Sequence, residues 1–270
     1  MDQAALMDDH SESIVAGTIT AGTVGKQQKR VENTVAAMED PPVLASFSLT
    51  HVHYNAADRL SYLCAWLALA PQALCVIYVT LIWSSREAEI LLMAAGQFVC
   101  EVLNWGLKRW IKEERPPEMH GKGYGMPSSH AQYVTFFSLS LTLFLLFRHD
   151  PHPTETHTPF SFLQRLALSV LALVSAAAVA VSRIYLSYHT PRQVLVGCAA
   201  GAGFAVVWFG FTTYLRSAGW VDWALEQYLA RLFRVRDLVV QEDLADSGWA
   251  RWEERRLRRQ AIRVQGKKSR

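Results

Sequence analysis

No CxxC pair and no cluster of cysteine with histidine occurs in this 270-residue sequence. Its four cysteines, Cys64, Cys75, Cys100 and Cys198, each lie inside an apolar segment. Free buried thiols are therefore expected, with neither a disulfide framework nor a metal site. No charge of one sign dominates: 27 basic and 24 acidic residues leave a net +3. That balance implies no strongly charged partner, nucleic acid included. The start, Met1-Asp2-Gln3, is acidic and is not followed by a basic and then an apolar region, so no signal peptide is expected and targeting falls to the first membrane helix.

Apolar residues make up 51% of the chain and concentrate between about 61 and 215. The mean hydropathy of +0.09 is thus a membrane core averaged with polar ends. Five stretches are long enough to cross about 30 Å of hydrocarbon. They run over 60–83, with Pro71 placed to kink the helix, and over 88–107, 130–147, 164–184 and 194–214. Glu89, Gln97, Glu101 and Asn104 make the second span unusually polar and are expected to face the bundle interior. The small residues Gly197, Ala199, Ala200, Gly201, Ala202 and Gly203 suit close helix packing in the fifth. Trp208 and Tyr214 fit an interfacial belt.

The expected fold is all-α: a polytopic membrane helix bundle of about five transmembrane helices over 51–215. A polar N-terminal tail (1–50), with residues 1–45 read as largely disordered, precedes it. A C-terminal tail (216–270) follows, with 13 basic and 8 acidic residues. Within it, 229–234 and 249–264 are either basic amphipathic helices on a membrane surface or a solvated charged tail.

Three polar stretches carry chemistry. In the first, Lys108 and Arg115 fall on one helix face if the second span continues, until Pro116 and Pro117 stop it. Such cations suit a phosphate or diphosphate, although taken alone this stretch reads more readily as juxtamembrane basic residues that contact lipid headgroups. In the second, Gly123 to Gln132, Ser129 and Gln132 read as a capping box with a helix starting at about His130. Backbone N–H groups would gather there beside Ser128, Ser129 and His130, as an anion site or as a plain capped turn. In the third, Thr190 and Gln193 make another capping box, Pro191 takes the first helical position, and His189 sits just ahead of it, near Arg183. The chain crosses the membrane twice between His130 and Arg183, so all three stretches share one face. Two histidines and three cations with no metal ligand set favour phosphate chemistry through histidine.

Lys108 to Arg115-Pro116, then Pro127-Ser128-Ser129-His130, then Ser182-Arg183 to His189 resemble the three signature motifs of the type 2 phosphatidic acid phosphatase and haloperoxidase superfamily. Within it, Tyr124 to His130, Tyr188-His189-Thr190, Gln193-Val194-Leu195, His53-Tyr54 and Arg236-Asp237 resemble the dolichyldiphosphatase family. The resemblance implies hydrolysis of dolichyl diphosphate, with His189 as nucleophile and His130 as acid and then base. It implies that Lys108, Arg115, Ser128, Ser129 and Arg183 hold the phosphates, with no cofactor and no metal. Glu101 and Asn104 would either support the site from behind or bind helix to helix. Gln193 stands where most of the superfamily has an acidic residue, and either orients His189 or only caps its helix. The resemblance further implies an endoplasmic reticulum membrane protein with its site facing the lumen. Counting basic residues on the two sides leaves the orientation open.

Overall fold

The structure, a computed structural model, describes residues 44–47, 52–117, 123–153, 158–246 and 248–268. Residues 1–43, and with them most of the stretch read as disordered, lie outside the described residues. Leu44 and Ala45, read as part of that stretch, belong to a strand. Strand β1 (Leu44–Phe47) pairs antiparallel with β2 (Val52–Asn55), a hairpin that the sequence reading did not anticipate.

Five helical segments are long and apolar enough to cross a membrane. The first is broken into α1 (Arg59–Leu67) and α2 (Ala70–Ser85). Asp58 caps α1 by accepting from the Leu60 N–H, and Pro71 lies in the first turn of α2. Proline cannot donate to the preceding turn, so the ladder opens just ahead of it and the expected kink becomes a break. Next come α3 (Ala88–Ile111) and α4 (Ser129–Leu143), which widens into a π-helical turn over Phe144–Arg148. Helices α5 (Phe162–Tyr185) and α6 (Pro191–Ser217) complete the bundle. Each of these two starts on a formed capping box, Ser161 with Gln164 and Thr190 with Gln193.

Helix α4 is the central element, packed against α6, α5, α3 and α2. A Cβ on Gly197 would lie 2.7 Å from the Ser128 carbonyl oxygen, and one on Gly201 would collide with the Gln132 carbonyl. Those two glycines let α6 reach the backbone of α4, whereas Gly203 faces open space. The Trp208 indole donates to the Leu92 carbonyl at 3.0 Å and its ring packs tilted against Phe204. The four cysteines are unpaired.

The polar residues of α3 serve two different ends. Asn104 donates to the Gln132 Oε1 at 2.8 Å, a helix-to-helix bond. Gln97 is buried and Glu101 half-buried. Glu89 belongs to a charged layer at the opposite end of the bundle. Its carboxylate bonds Arg148 at 2.6 Å and Arg216 at 2.7 Å, and Arg216 also pairs with Asp237. The segment after α7 (Trp220–Glu226) and α8 (Tyr228–Phe233) returns to this layer. There the fully buried Glu87 accepts from the Leu238 and Val239 N–H groups at 2.8 and 3.1 Å, and Arg236 Nε lies 2.7 Å from it. His149 bridges the Val239 carbonyl (2.7 Å) and Asp243 (2.9 Å). Both amphipathic stretches of the tail are helical, as α8 and α9 (Trp249–Lys268), and expose Leu229, Phe233, Trp252 and Leu257.

Candidate phosphate site

At the other end of the bundle, the C-termini of α3 and α5 meet the N-termini of α4 and α6. Those four ends carry Lys108, Arg183, Ser129 with His130, and the Thr190–Gln193 cap. The structure brings all eight residues singled out from the sequence to this one face.

Two of the local expectations are corrected. Helix α3 does not run on to Arg115; it ends at Ile111, with Lys112 in the left-handed conformation at φ 54°. Arg115 therefore comes from an irregular stretch and shares no helix face with Lys108, and the prolines are not what ends the helix. The Ser129–Gln132 capping box is also absent. Ser128 occupies the cap position, without a side-chain capping bond. Gln132 is instead buried between helices, accepting from Asn104 and donating to the Cys100 carbonyl at 2.9 Å. Burial against α3 claims the amide that a local rule assigns to the cap.

His189 is built by the turn that follows α5. Ser187 adopts φ 56°, and the N–H groups of Tyr188 and His189 both return to the Arg183 carbonyl, at 3.0 and 3.3 Å. The histidine is 4% exposed, and its Nδ1 lies 3.2 Å from the Gln193 Oε1. The Gln193 Nε2 donates to the Glu113 Oε1 at 3.0 Å and to the Glu114 carbonyl at 2.8 Å. Both of those partners only accept, so the amide oxygen must face His189, and Nδ1 must carry the proton. The neutral ring then presents Nε2 with a free lone pair. Gln193 thus both caps α6 and hydrogen-bonds His189.

His130 is held from the other side. Its Nε2 lies 3.1 Å from the Ala68 carbonyl, in the break between α1 and α2 that Pro71 imposes. A carbonyl can only accept, so Nε2 is the protonated nitrogen and Nδ1 is the atom free to exchange a proton. Nothing in the sequence near His130 points to this partner, 62 residues away.

The cations surround an unfilled set of donors. Arg183 is 3% exposed and its guanidinium stacks on the Tyr188 ring at 4.3 Å. The Tyr188 hydroxyl in turn accepts from the His53 N–H at 2.7 Å, so the N-terminal hairpin buttresses the stack. Arg183 Nε and Nη1, Arg115 Nε and Ser128 Oγ are all buried without a partner among the described residues. Buried donors are normally satisfied, and four such atoms on three neighbouring segments fit a phosphate oxygen set. Lys108 Nζ reaches the Ser129 Oγ at 3.4 Å. Among the described residues no group of three or more His, Cys, Asp or Glu side chains is gathered as a metal site requires.

Burial, with Arg115, Arg183 and Lys108 adding repulsion against the Gln193 hydrogen bond, pulls the His189 imidazole down to about 4. Desolvation likewise lowers Arg115. The linkage has a definite sign. Between about pH 6.5 and 4 the unfolded chain binds a proton at His189 that the folded chain refuses, so stability falls as pH drops through that window. At pH 5 this amounts to about 2 kcal/mol. Detergent-solubilised wild type should therefore lose more melting temperature between pH 7 and pH 5 than His189→Gln does. Equal losses would mean that the ring is not held neutral.

The chain matches the PAP2 superfamily profile over residues 89–217. It is 48% identical over 268 residues to a Neurospora crassa protein provisionally named dolichyldiphosphatase, covering 81% of this chain and 95% of that one. It is 43% identical over 169 residues to Dolichyldiphosphatase 1 of Homo sapiens, covering 61% of this chain and 70% of the relative. Dolichyldiphosphatase of Saccharomyces cerevisiae is 32% identical over 218 residues, covering 77% and 87%.

Proposed function

The chain belongs to the dolichyldiphosphatase family of the PAP2 superfamily, and we propose from that premise that it hydrolyses dolichyl diphosphate to dolichyl phosphate and inorganic phosphate. The observation that carries the reading is the set of buried donors on Arg115, Ser128 and Arg183, unpartnered among the described residues, beside a histidine held neutral with its Nδ1–H committed.

In the first step His189 Nε2 attacks the terminal phosphorus and a P–N bond forms. The bond from that phosphorus to the bridging oxygen breaks, and dolichyl phosphate leaves with the Nδ1 proton of His130, which enters this step as the imidazolium and keeps its Nε2–H. In the second, water attacks the phosphohistidine while His130 Nδ1 takes its proton. The P–N bond breaks, returning Nε2 its electron pair and releasing inorganic phosphate. Lys108, Arg115 and Arg183 hold the non-bridging oxygens and offset charge as it develops, with Ser128 and Ser129 completing the cradle. Fixed cations take the part a metal plays elsewhere, so the reaction proceeds in EDTA.

The active face lies in the lumen of the endoplasmic reticulum, and its product rejoins the lipid carrier pool for protein N-glycosylation. Hairpin β1–β2 leans on Tyr188 at this face, so a glycosylation acceptor engineered ahead of β1 should be modified. For the reaction itself, phosphate release is measured with EDTA across dolichyl diphosphate, phosphatidate and a sphingoid phosphate. Dolichyl diphosphate should lead by kcat/KM; a preference for phosphatidate would sink the substrate assignment, and loss of activity in EDTA the metal-free mechanism.

A further inference from the structure

We infer that Glu113 is a positioning residue of the reaction, acting on His189 through the Gln193 amide. The inference rests on His189 being the nucleophile, as proposed above. Gln193 is 1% exposed, and all four hydrogen-bonding positions of its amide are filled. The oxygen accepts from His189 Nδ1 at 3.2 Å and from the Thr190 N–H at 3.3 Å. The nitrogen donates to Glu113 Oε1 at 3.0 Å and to the Glu114 carbonyl at 2.8 Å. Of the two acceptors that decide which way the amide faces, only Glu113 carries a full charge.

The consequence is chemical. When His189 Nε2 gives its lone pair to phosphorus, the ring becomes positive, and Nδ1–H needs a more negative acceptor than it did before. A neutral amide is a poor one by itself. With a carboxylate pulling on its N–H end, the amide is polarised and its oxygen gains negative character, as in successive hydrogen bonds; the Glu113 side chain is 31% exposed, and the Gln193 and His189 it acts through are buried. Histidine, glutamine and glutamate thereby form a relay in which the charge sits one residue further from the ring than in a directly paired histidine and carboxylate. Placing an acid at position 193 itself would set it 3.0 Å from Glu113 and against the Glu114 carbonyl. An amide is the side chain that accepts on one side and donates on the other.

The rest of the local geometry holds Glu113 for this purpose. Its backbone carbonyl accepts from the Gly125 N–H at 2.7 Å, which ties the Glu113–Arg115 stretch to the loop that enters α4. A Cβ on Gly125 would come within 2.8 Å of both Gln193 amide atoms, so the loop closes over the amide only because this residue has no side chain. The Gln193 carbonyl accepts from the Ser128 N–H at 3.1 Å, so one residue links the phosphate cradle and the nucleophile. The other ion pair of Glu113, to Arg192 at 3.9 Å, involves an arginine side chain that is 78% exposed, and such a pair contributes little.

The test is a double-mutant cycle on the purified full chain, using phosphate release from dolichyl diphosphate, with melting temperature as the check on folding. Glu113→Ala should lower kcat by about 10- to 100-fold with KM within about twofold, by analogy with the outer hydrogen-bond partners of metal-bound histidines. Glu113→Gln keeps an acceptor without the charge and should fall between wild type and Glu113→Ala. In a Gln193→Ala background, Glu113→Ala should cost nothing more, because the path to His189 is already cut. Losses that multiply in the double variant would overturn the relay. So would a rise in KM at unchanged kcat, or a kcat within twofold of wild type in a folded Glu113→Ala. If wild type turns over another lipid of the panel in preference to dolichyl diphosphate, the substrate assignment fails, and the same cycle on that lipid decides the relay by the same criteria.

Discussion

Replacing His189 with alanine should reduce phosphate release from dolichyl diphosphate by at least about 10⁴-fold, the scale seen when a covalent nucleophile is removed. The size follows from what the alanine takes away. Without Nε2 no P–N bond can form, and the remaining site offers only its cations and His130, arranged for a nucleophile that is no longer there. Substrate binding should survive better than turnover, since Arg115, Arg183 and Lys108 are untouched and no longer face a competing ring. A rapid quench with substrate labelled in the terminal phosphate should give protein-bound label that is lost in acid and kept in base for wild type, and none for His189→Ala. Turnover within tenfold of wild type in the folded variant would remove His189 from the nucleophile's role.

Arg183→Lys should cost about 10²- to 10³-fold in kcat, although the formal charge is conserved. The guanidinium is buried, its Cζ lies 4.3 Å from the centre of the Tyr188 ring, and its Nε and Nη1 have no partner among the described residues. A planar guanidinium fork with buried, unfilled donors can meet more than one phosphate oxygen, and it costs no reorganisation as charge builds there. A lysine ammonium keeps the charge but not the fork, and it forfeits the stacking surface. Lys108→Arg is the contrasting variant. Lys108 is only half-buried and meets Ser129 at the rim, so that change should cost far less. Equal losses at the two positions would mean that charge alone matters at both.

Much of the bundle is legible in the sequence because its signals are local. A span announces itself by length and apolar composition, and the Thr190–Gln193 box with Pro191 needs only four consecutive residues. What escapes is set by partners far along the chain. Gln132 reads as a capping residue until Asn104 and Cys100 claim it. Lys112 ends α3 without the glycine that usually marks such a stop. The acceptor for His130 is a main-chain oxygen, which has no sequence signature, and only Pro71 hints at the break that frees it. Glu113 reads as a charged neighbour of the arginine motif; its contact with Gln193 spans 80 residues. The one trace of that contact in the sequence is Gly125, a residue without a side chain where the loop must close.

The charged layer at the far end of the bundle has a consequence for how the protein can be made. Glu87 and Glu89 leave the ribosome early, at the start of the second span, whereas Asp237 and the Leu238 and Val239 amides that complete their layer emerge after the fifth. For most of translation Glu87 has no final partner, Glu89 gains Arg148 and then Arg216 as the third and fifth spans emerge, and the bundle cannot seal that end until residue 243 has followed. The late strap is therefore a completion step, and the chain offers a natural boundary for engineering. A purification tag fused beyond Trp249 leaves the seal intact, whereas a stop codon ahead of Arg236 strands the buried Glu87, an uncompensated charge that costs several kcal/mol, while Glu89 keeps Arg148 and Arg216.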